Sequence, residues 1–481
     1  MKKRYKVDYD AYVDCFEQIK NVETDLIYGD LSYVKNPFIS YIIPVYKRAD
    51  LLLYTLDSVL NQEDADCEWD IVVVDNEAGG INETEELIRK IDNPRILYYR
   101  NRENLGVDGN YNRCIEMARG KWVAMIHGDD LITTDHLKNS LEYIFQAEKR
   151  IRKEPAYICQ RYIDFSNKDE VLLDRNSDEI NTHKAGWVLQ QKYNNGNIEE
   201  QTQLMGMMTG FFAAVPSFGT LMNRQVMLDN GGFNVDLGIC EDIITPFKLA
   251  RKYSVYMAPV VMGYHRFENN ESMKIETIKK IYASMVDFRE YMYSRYVFGP
   301  IWGFIARDIL NDNLRNYCIG LSRFSPYRLK FSDFDDIYTP KNTKGIKLDI
   351  FNMVISLFNK AYGLRDYDDM ILDLIESNHK ILKETIDANT PIILYGAGAA
   401  SKSLIPQLKK KYSNINILAS VVTSRGNADK ICKIPIYEID SYQADKKNVA
   451  VLTTTVIWQY QDEMNEKLKN LGYEKVINLL N

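Results

Sequence analysis

Two adjacent carboxylates, Asp129 and Asp130, end the run Lys121-Trp-Val-Ala-Met-Ile-His-Gly-Asp-Asp130. An apolar strand that breaks abruptly into two acids puts negative charge at a sheet's carboxyl edge. There it can hold a divalent cation against a phosphate. A second acidic pair, Glu241-Asp242, opens Ile243-Ile-Thr-Pro-Phe-Lys-Leu-Ala250, an amphipathic helical pattern that tolerates Pro246 near its start. Acids at that position complement the helix dipole, which also lowers their pKa.

The elements that must position these residues are a run of βα units. Phe38 to Tyr46 reads as a fully buried strand, apolar nearly throughout. Leu52, Leu53, Leu56, Val59 and Leu60 follow at helical spacing. Trp69-Asp-Ile-Val-Val-Val-Asp75 is a second strand ending in a carboxylate. A helix over Glu83 to Ile91, a strand from Arg95 to Tyr99 and a helix from Asp108 to Ala118 lead to the strand before Asp129. Alternation at this spacing implies right-handed crossovers and a parallel sheet. The polar strand ends then open on one crevice, which makes Tyr46, Asp75 and Asp129 neighbours.

Pro44-Val-Tyr-Lys-Arg48, Ser58-Val-Leu-Asn-Gln62, Ile71-Val-Val-Val-Asp-Asn76, Glu103-Asn-Leu-Gly106, Asn110, Asn112, Ala118-Arg-Gly120, Asp129-Asp130, Gly231-Gly-Phe233 and Glu241-Asp242 occur in that order. Over residues 38 to about 270 this series resembles a family 2 glycosyltransferase with the GT-A nucleotide-sugar-binding fold. One departure is His127, where the family often carries a further aspartate two positions before the metal-binding one.

The resemblance implies a nucleotide-sugar donor, UDP-sugar first, and an inverting transfer to a hydroxyl. Tyr46 and Asp75 fall on the family's base- and ribose-binding positions, with Pro44 also on the donor side and Arg48 able to reach the base or a phosphate; Asp75 also reads as a strand-end turn residue and Arg48 as a solvated surface arginine. Asn104, Gly106 and Asn110 lie in a segment that would pass beneath the donor, and by themselves read as a turn and helix start. Asp129 would be the direct ligand of Mn²⁺ or Mg²⁺, with Asp130 sharing the ion or holding sugar hydroxyls. His127 also reads as a strand-end histidine satisfied by local hydrogen bonds. Asp242, with Glu241 in reserve, would be the general base. His265 would be a further metal ligand and Arg266 a diphosphate clamp. The stretch Met205 to Phe218 would shape the acceptor side, or simply fill the core.

Four regions are expected: an N-terminal helical extension (1–37), the GT-A domain (38–278), a helical, aromatic-rich linker domain (279–386) and a small α/β domain (387–481). In the last, strand Pro391 to Tyr395, Gly396-Ala-Gly-Ala-Ala-Ser401, strand Ile415 to Val422 and strand Asn448 to Thr453 resemble the Rossmann-like domains attached to many bacterial cell-surface sugar-modifying proteins. The third glycine of a dinucleotide fingerprint is Ser401, and Thr423-Ser424 stands where the ribose-binding acid belongs. NAD binding is therefore not expected; accessory packing or homo-oligomerisation through this domain is.

With 481 residues and a net charge of −7, the chain has ample core and a balance that disfavours nucleic acid. Neither a signal peptide nor a bilayer-spanning apolar run is expected. Seven scattered cysteines without CxxC spacing suit a reducing compartment. A cytoplasmic location follows, at the inner membrane face where the acceptor is lipid-linked; the aromatic helices read either as packing between the end domains or as a face for peripheral membrane association. The expected fold class is α/β, and the expected function is metal-dependent transfer of a sugar to a cell-surface glycan or lipid-linked glycan acceptor. Two rivals stay open: a non-catalytic nucleotide-sugar or glycan-binding protein, and an oxidoreductase or nucleotide-sugar-modifying enzyme using the C-terminal domain.

Overall fold

The computed structural model describes residues 4–150, 152–165, 197–210, 218–266, 273–322, 327–341, 345–362, 371–372, 374–376, 378–424, 429–455 and 458–479. Of the expected acceptor-side stretch, residues 211–217 lie outside these, as do residues 267–272 beyond Arg266. The described residues form two compact units, one running to Asp349 and the other from Ile350 onward.

In the first unit, α1 (Cys15–Ile19) and β1 (Thr24–Tyr28) precede β2 (Ile39–Val45), α2 (Ala49–Leu60), β3 (Trp69–Asp75), α3 (Glu83–Ile91), β4 (Ile96–Asn101), α4 (Gly106–Met117) and β5 (Trp122–Met125). Then come β6 (Leu131–Ile132), α5 (His136–Glu148), β7 (Pro155–Phe165), β8 (Glu199–Gln201), α6 (Gln203–Thr209), β9 (Leu221–Asn223), α7 (Arg224–Asp229), α8 (Glu241–Leu249), β10 (Ser254–Arg266), α9 (Ile275–Ser294) and α10 (Gly299–Leu321). The sheet order is β1-β4-β3-β2-β5-β9-β7-β10-β6, with β8 on β10. Strands β4, β3, β2 and β5 are parallel neighbours. Every residue of β3 is buried, as expected of a parallel strand covered on both faces. Ile43, Leu52, Leu56, Val59 and Val73 pack in one core that also takes in Trp122.

The first 37 residues are helical only in part. Their one described helix, α1, is five residues long, and Thr24–Tyr28 is a strand paired antiparallel with β4. Without it β4 would be an edge with unpaired backbone groups, and β1 supplies that pairing. Farther upstream, Lys6 N and Val7 N donate to the Asp287 carboxylate, and Tyr9 is buried against Phe288 and Tyr291 of α9. Arg289, also on α9, is wholly buried and donates to Leu310 O at 2.7 Å and Asn311 Oδ1 at 2.6 Å.

The boundary between the units falls within α11 (Ile346–Tyr362). In the second unit, β11 (Ile392–Tyr395), β12 (Ile417–Val422), β13 (Lys430–Ile431), β14 (Ile434–Glu438), β15 (Ala450–Thr453) and β16 (Lys475–Asn478) form a sheet of order β13-β14-β12-β11-β15-β16. All pairs but β13–β14 are parallel. The switch between β11 and β15 makes this a doubly wound, Rossmann-like unit, so the α/β fold class holds for both units.

Candidate active site

In the parallel block Val45 pairs with Asp75, and Ile42 with Met125. The residues beyond these pairs therefore leave the sheet at one edge. Pro44 is half-buried in β2, and Tyr46, just past it, is 52% exposed with the Lys47 ammonium 5.2 Å from its ring centre. Lys47 and Arg48 then turn the chain through two left-handed conformations, φ 61° and 63°. Arg48 is the N-cap of α2 but caps nothing with its side chain. Its Nη1 instead donates to Asp129 Oδ2 at 3.0 Å.

Asp130 is buried beside it. Its Oδ1 accepts from the Arg266 backbone N–H at 2.7 Å, its carbonyl accepts from Thr55 Oγ1, and its Oδ2 lies 3.2 Å from His127 Nδ1. That Oδ2 accepts no hydrogen bond. Arg266, at the end of β10, also donates from Nε to the Asp129 carbonyl at 2.8 Å. Burial, and then the charge of Asp130, push the Asp129 carboxyl above its ordinary pKa; His127, Arg48 and His265 pull it back. His265 thus lies within electrostatic reach of Asp129, with its ring edge-on to Tyr162 at 5.4 Å.

Among the described residues no group of three or more His, Cys, Asp or Glu side chains forms a cage for a metal ion. The Asp129–Asp130 pair, with an orphaned buried carboxylate oxygen, still fits an ion that takes one or two carboxylates and completes its shell with phosphate and water.

Glu241 and Asp242 occupy the first turn of α8, and Glu241 is buried. The dipole was expected to lower the Asp242 pKa. Burial outweighs it and raises the carboxyl from 3.8 to about 6, while the Ile243 N–H and His127 act in the opposite direction. Asp108, in the first turn of α4, adds to that rise and also raises Glu241. Asp108 is the residue that sequence reasoning missed. Its only signal was a carboxylate one helical turn before Tyr111, whose hydroxyl lies 3.3 Å from His127 Nε2.

Other expected donor-site residues are held inside the protein. Asp75 is fully buried: Oδ2 accepts from Tyr98 Oη at 2.7 Å and Asn82 Nδ2 at 2.8 Å, and Oδ1 from the Glu77 N–H. Asn110 is buried, accepting from Asn101 Nδ2 and donating to Val74 O. Asn104, exposed, accepts from Asn76 Nδ2 and from Gly106 N, so it shapes the turn into α4. The edge thus brings together Arg48, Asp129, Asp130, His127, His265 and Arg266, with Asp242 in electrostatic contact through His127, and Asp108 and Glu241 clustered with Asp242.

In the second unit, Ser401 Oγ donates to Gly396 O at 2.8 Å and lies 2.6 Å from Thr454 Oγ1. The position of the third fingerprint glycine is therefore occupied by a hydroxyl bound within the fold.

Residues 40–214 match the model of glycosyl transferase family 2. An uncharacterized protein of Mycobacterium tuberculosis, MT1568, is 27% identical over 257 residues, covering 50% of this chain and 72% of its own. The abequosyltransferase RfbV of Salmonella typhimurium is 33% identical over 127 residues, covering 26% of this chain and 35% of its own. The chain thus spans about a third of that enzyme. The crystal structure of Staphylococcus aureus TarS 1–349 with UDP-GlcNAc aligns over 71% of this chain and 91% of its own, at 14% identity and a TM-score of 0.39. The match thus places a family 2 glycosyl transferase domain within residues 40–214 of this chain.

Proposed function

We propose that the chain is an inverting glycosyltransferase that moves a sugar from a nucleotide-sugar, UDP-sugar first, to a hydroxyl of a cell-surface glycan or lipid-linked glycan. One observation carries this reading. His127 is close enough to both Asp129 and Asp242 to affect each carboxyl, so an acidic sheet edge and a buried helix-start acid share one site. The first suits a diphosphate and its cation, and the second suits proton abstraction. The curated relatives with glycan-building names, such as RfbV, support the substrate class.

In this reading Asp129 and Asp130, with His265 nearby, hold Mn²⁺ or Mg²⁺, which when bound supplies neutralising charge for a departing nucleoside diphosphate. Asp242 takes the proton of the acceptor hydroxyl. The acceptor oxygen forms its bond to the anomeric carbon as the bond to the diphosphate breaks, on the opposite face, and the anomeric centre inverts. A base in that position contributes roughly 10²–10⁴-fold. Its raised pKa makes it a stronger base than an exposed aspartate, though still ionised at neutral pH. Tyr46 offers an exposed ring against which a base could stack. Arg266 is already fixed at the site and holds the Asp129–Asp130 turn.

Among the described residues, no helix is long and apolar enough to cross a membrane. A lipid-linked acceptor would then be met at the membrane face, with the exposed Val297, Phe298, Ile301 and Phe304 of the α9–α10 region as the contact.

A panel of nucleotides and nucleotide-sugars, with and without Mn²⁺, tests the donor class through thermal stability. A ligand at about a hundredfold excess over Kd stabilises the fold by about 2.7 kcal/mol. A Mn²⁺-dependent rise with UDP or one UDP-sugar supports the reading. A response to NAD(H) alone would move the function to the second unit.

A further inference from the structure

We infer that Arg48 is a resident counter-ion: it holds Asp129 while no metal is bound, then releases it and turns to the donor diphosphate when metal and donor arrive. This rests on the proposed role of Asp129 as a metal ligand and goes beyond it, because it assigns the same carboxylate two successive cations.

Three features of the site support the exchange. Two adjacent carboxylates at a largely enclosed edge repel each other, so the unliganded site needs a positive charge. The Arg48 guanidinium, 3.0 Å from Asp129 Oδ2, supplies it. The contact is single rather than bidentate, and the Arg48 side chain is 43% exposed against 21% for Asp129. Pairs of this kind hold weakly and are screened by salt, so a divalent ion can displace the arginine. Finally, the backbone at Lys47 and Arg48 is left-handed at two consecutive non-glycine residues. Strain maintained at one point of a chain is a mark of a functional constraint there.

The second arginine at the edge provides the contrast. Arg266 is buried, and both its backbone N–H and its Nε are committed to the Asp129–Asp130 turn. Arg48 makes one side-chain bond and faces solvent. A divalent ion at Asp129 repels Arg48, whereas a diphosphate brought with it attracts a guanidinium well suited to phosphate oxygens.

Mn²⁺ binding to the full chain, read from the electron paramagnetic resonance signal of the free ion, tests this in wild type and Arg48→Gln, each with and without UDP. Without UDP, Arg48→Gln is expected to bind Mn²⁺ roughly 2- to 5-fold more tightly, because the competing cation is gone. With UDP present, its affinity for UDP is expected to fall by a similar factor or more. Equal Mn²⁺ affinity in the two proteins, or weaker binding in the variant, overturns the exchange and leaves Asp129 as a ligand untouched. Wild type that takes no Mn²⁺ even with UDP overturns both, and Asp129→Asn then serves as the matching blank. Unchanged melting temperature of Arg48→Gln without ligand confirms that the comparison is between folded proteins.

Discussion

His127 Nδ1 lies 3.2 Å from Asp130 Oδ2, and its other nitrogen lies 3.3 Å from the Tyr111 hydroxyl. The imidazole thus lies between the two, and its ring stacks on Tyr111 with centres 5.7 Å apart and planes 10° from parallel. This imidazole favours the ionised forms of Asp129 and Asp242, where another carboxylate in its place would oppose them.

The pH dependence of transfer should follow from Asp242. Its carboxyl is faced by Glu241, Asp108 and His127 and titrates near 6, so kcat should fall as pH drops through about 6. His127 acts on Asp242 to favour its ionised form, so His127→Gln should move that limb to higher pH. A limb that stays in place would mean that His127 does not act on the base. The same shift affects stability. The folded state binds this proton more tightly than an unfolded aspartate at 3.8 does, so the contribution is full below that value and lost as pH rises through 6. Asp242→Asn should therefore stabilise the protein above pH 6 by on the order of 1 kcal/mol, while transfer collapses. Denaturant midpoints at pH 5 and pH 8 check the stability half.

Tyr98→Phe should cost about 1–3 kcal/mol, because Asp75 is fully buried and loses a 2.7 Å donor. Chemical denaturation reads that loss directly. A change within 0.5 kcal/mol would show that Asp75 is more open to solvent than its buried setting implies.

The contrast between Asp75 and Asp129 marks what the sequence could reveal. Both end apolar strands, and the strand pattern placed both on one edge, where they are found. Which of them faces a ligand depends on partners that no local pattern announces: Tyr98 from the neighbouring strand and Asn82 from a helix cap engage Asp75. Asn110 is hidden for the same reason, through Asn101. The rise in the Asp242 pKa was illegible too, because burial of α8 depends on how distant elements enclose its first turn, whereas the dipole is local. Conversely, the β-α alternation from Phe38 to Met125 was readable because buried parallel strands and amphipathic helices carry their own periodicity.

Gly232→Ala should be strongly destabilising, by more than about 2 kcal/mol. Gly232 sits at φ +73°, and an added Cβ would come 2.3 Å from Asn112 Oδ1. That amide both accepts from Phe233 N at 2.8 Å and donates to Phe233 O at 2.8 Å, so it cannot swing away freely. Thermal melts of the variant, set beside Asn112→Ala, check this; full stability of Gly232→Ala would contradict the clamp.

Lys47→Gly should stabilise the unliganded protein by about 1 kcal/mol, since Lys47 is exposed and a left-handed residue with a Cβ is strained by about that amount. Differential scanning calorimetry of the two proteins measures it. A loss of stability would mean that the lysine's contact with the Tyr46 ring outweighs the backbone strain.

The most direct test of the two-sided site is titration of UDP in the presence of Mn²⁺ into wild type, Asp129→Asn and Asp242→Asn. Wild type and Asp242→Asn should bind within about twofold of each other, and Asp129→Asn at least about tenfold more weakly, since even the outer-shell partners of a metal ligand are worth about 10- to 100-fold. Undiminished binding by Asp129→Asn would contradict the account.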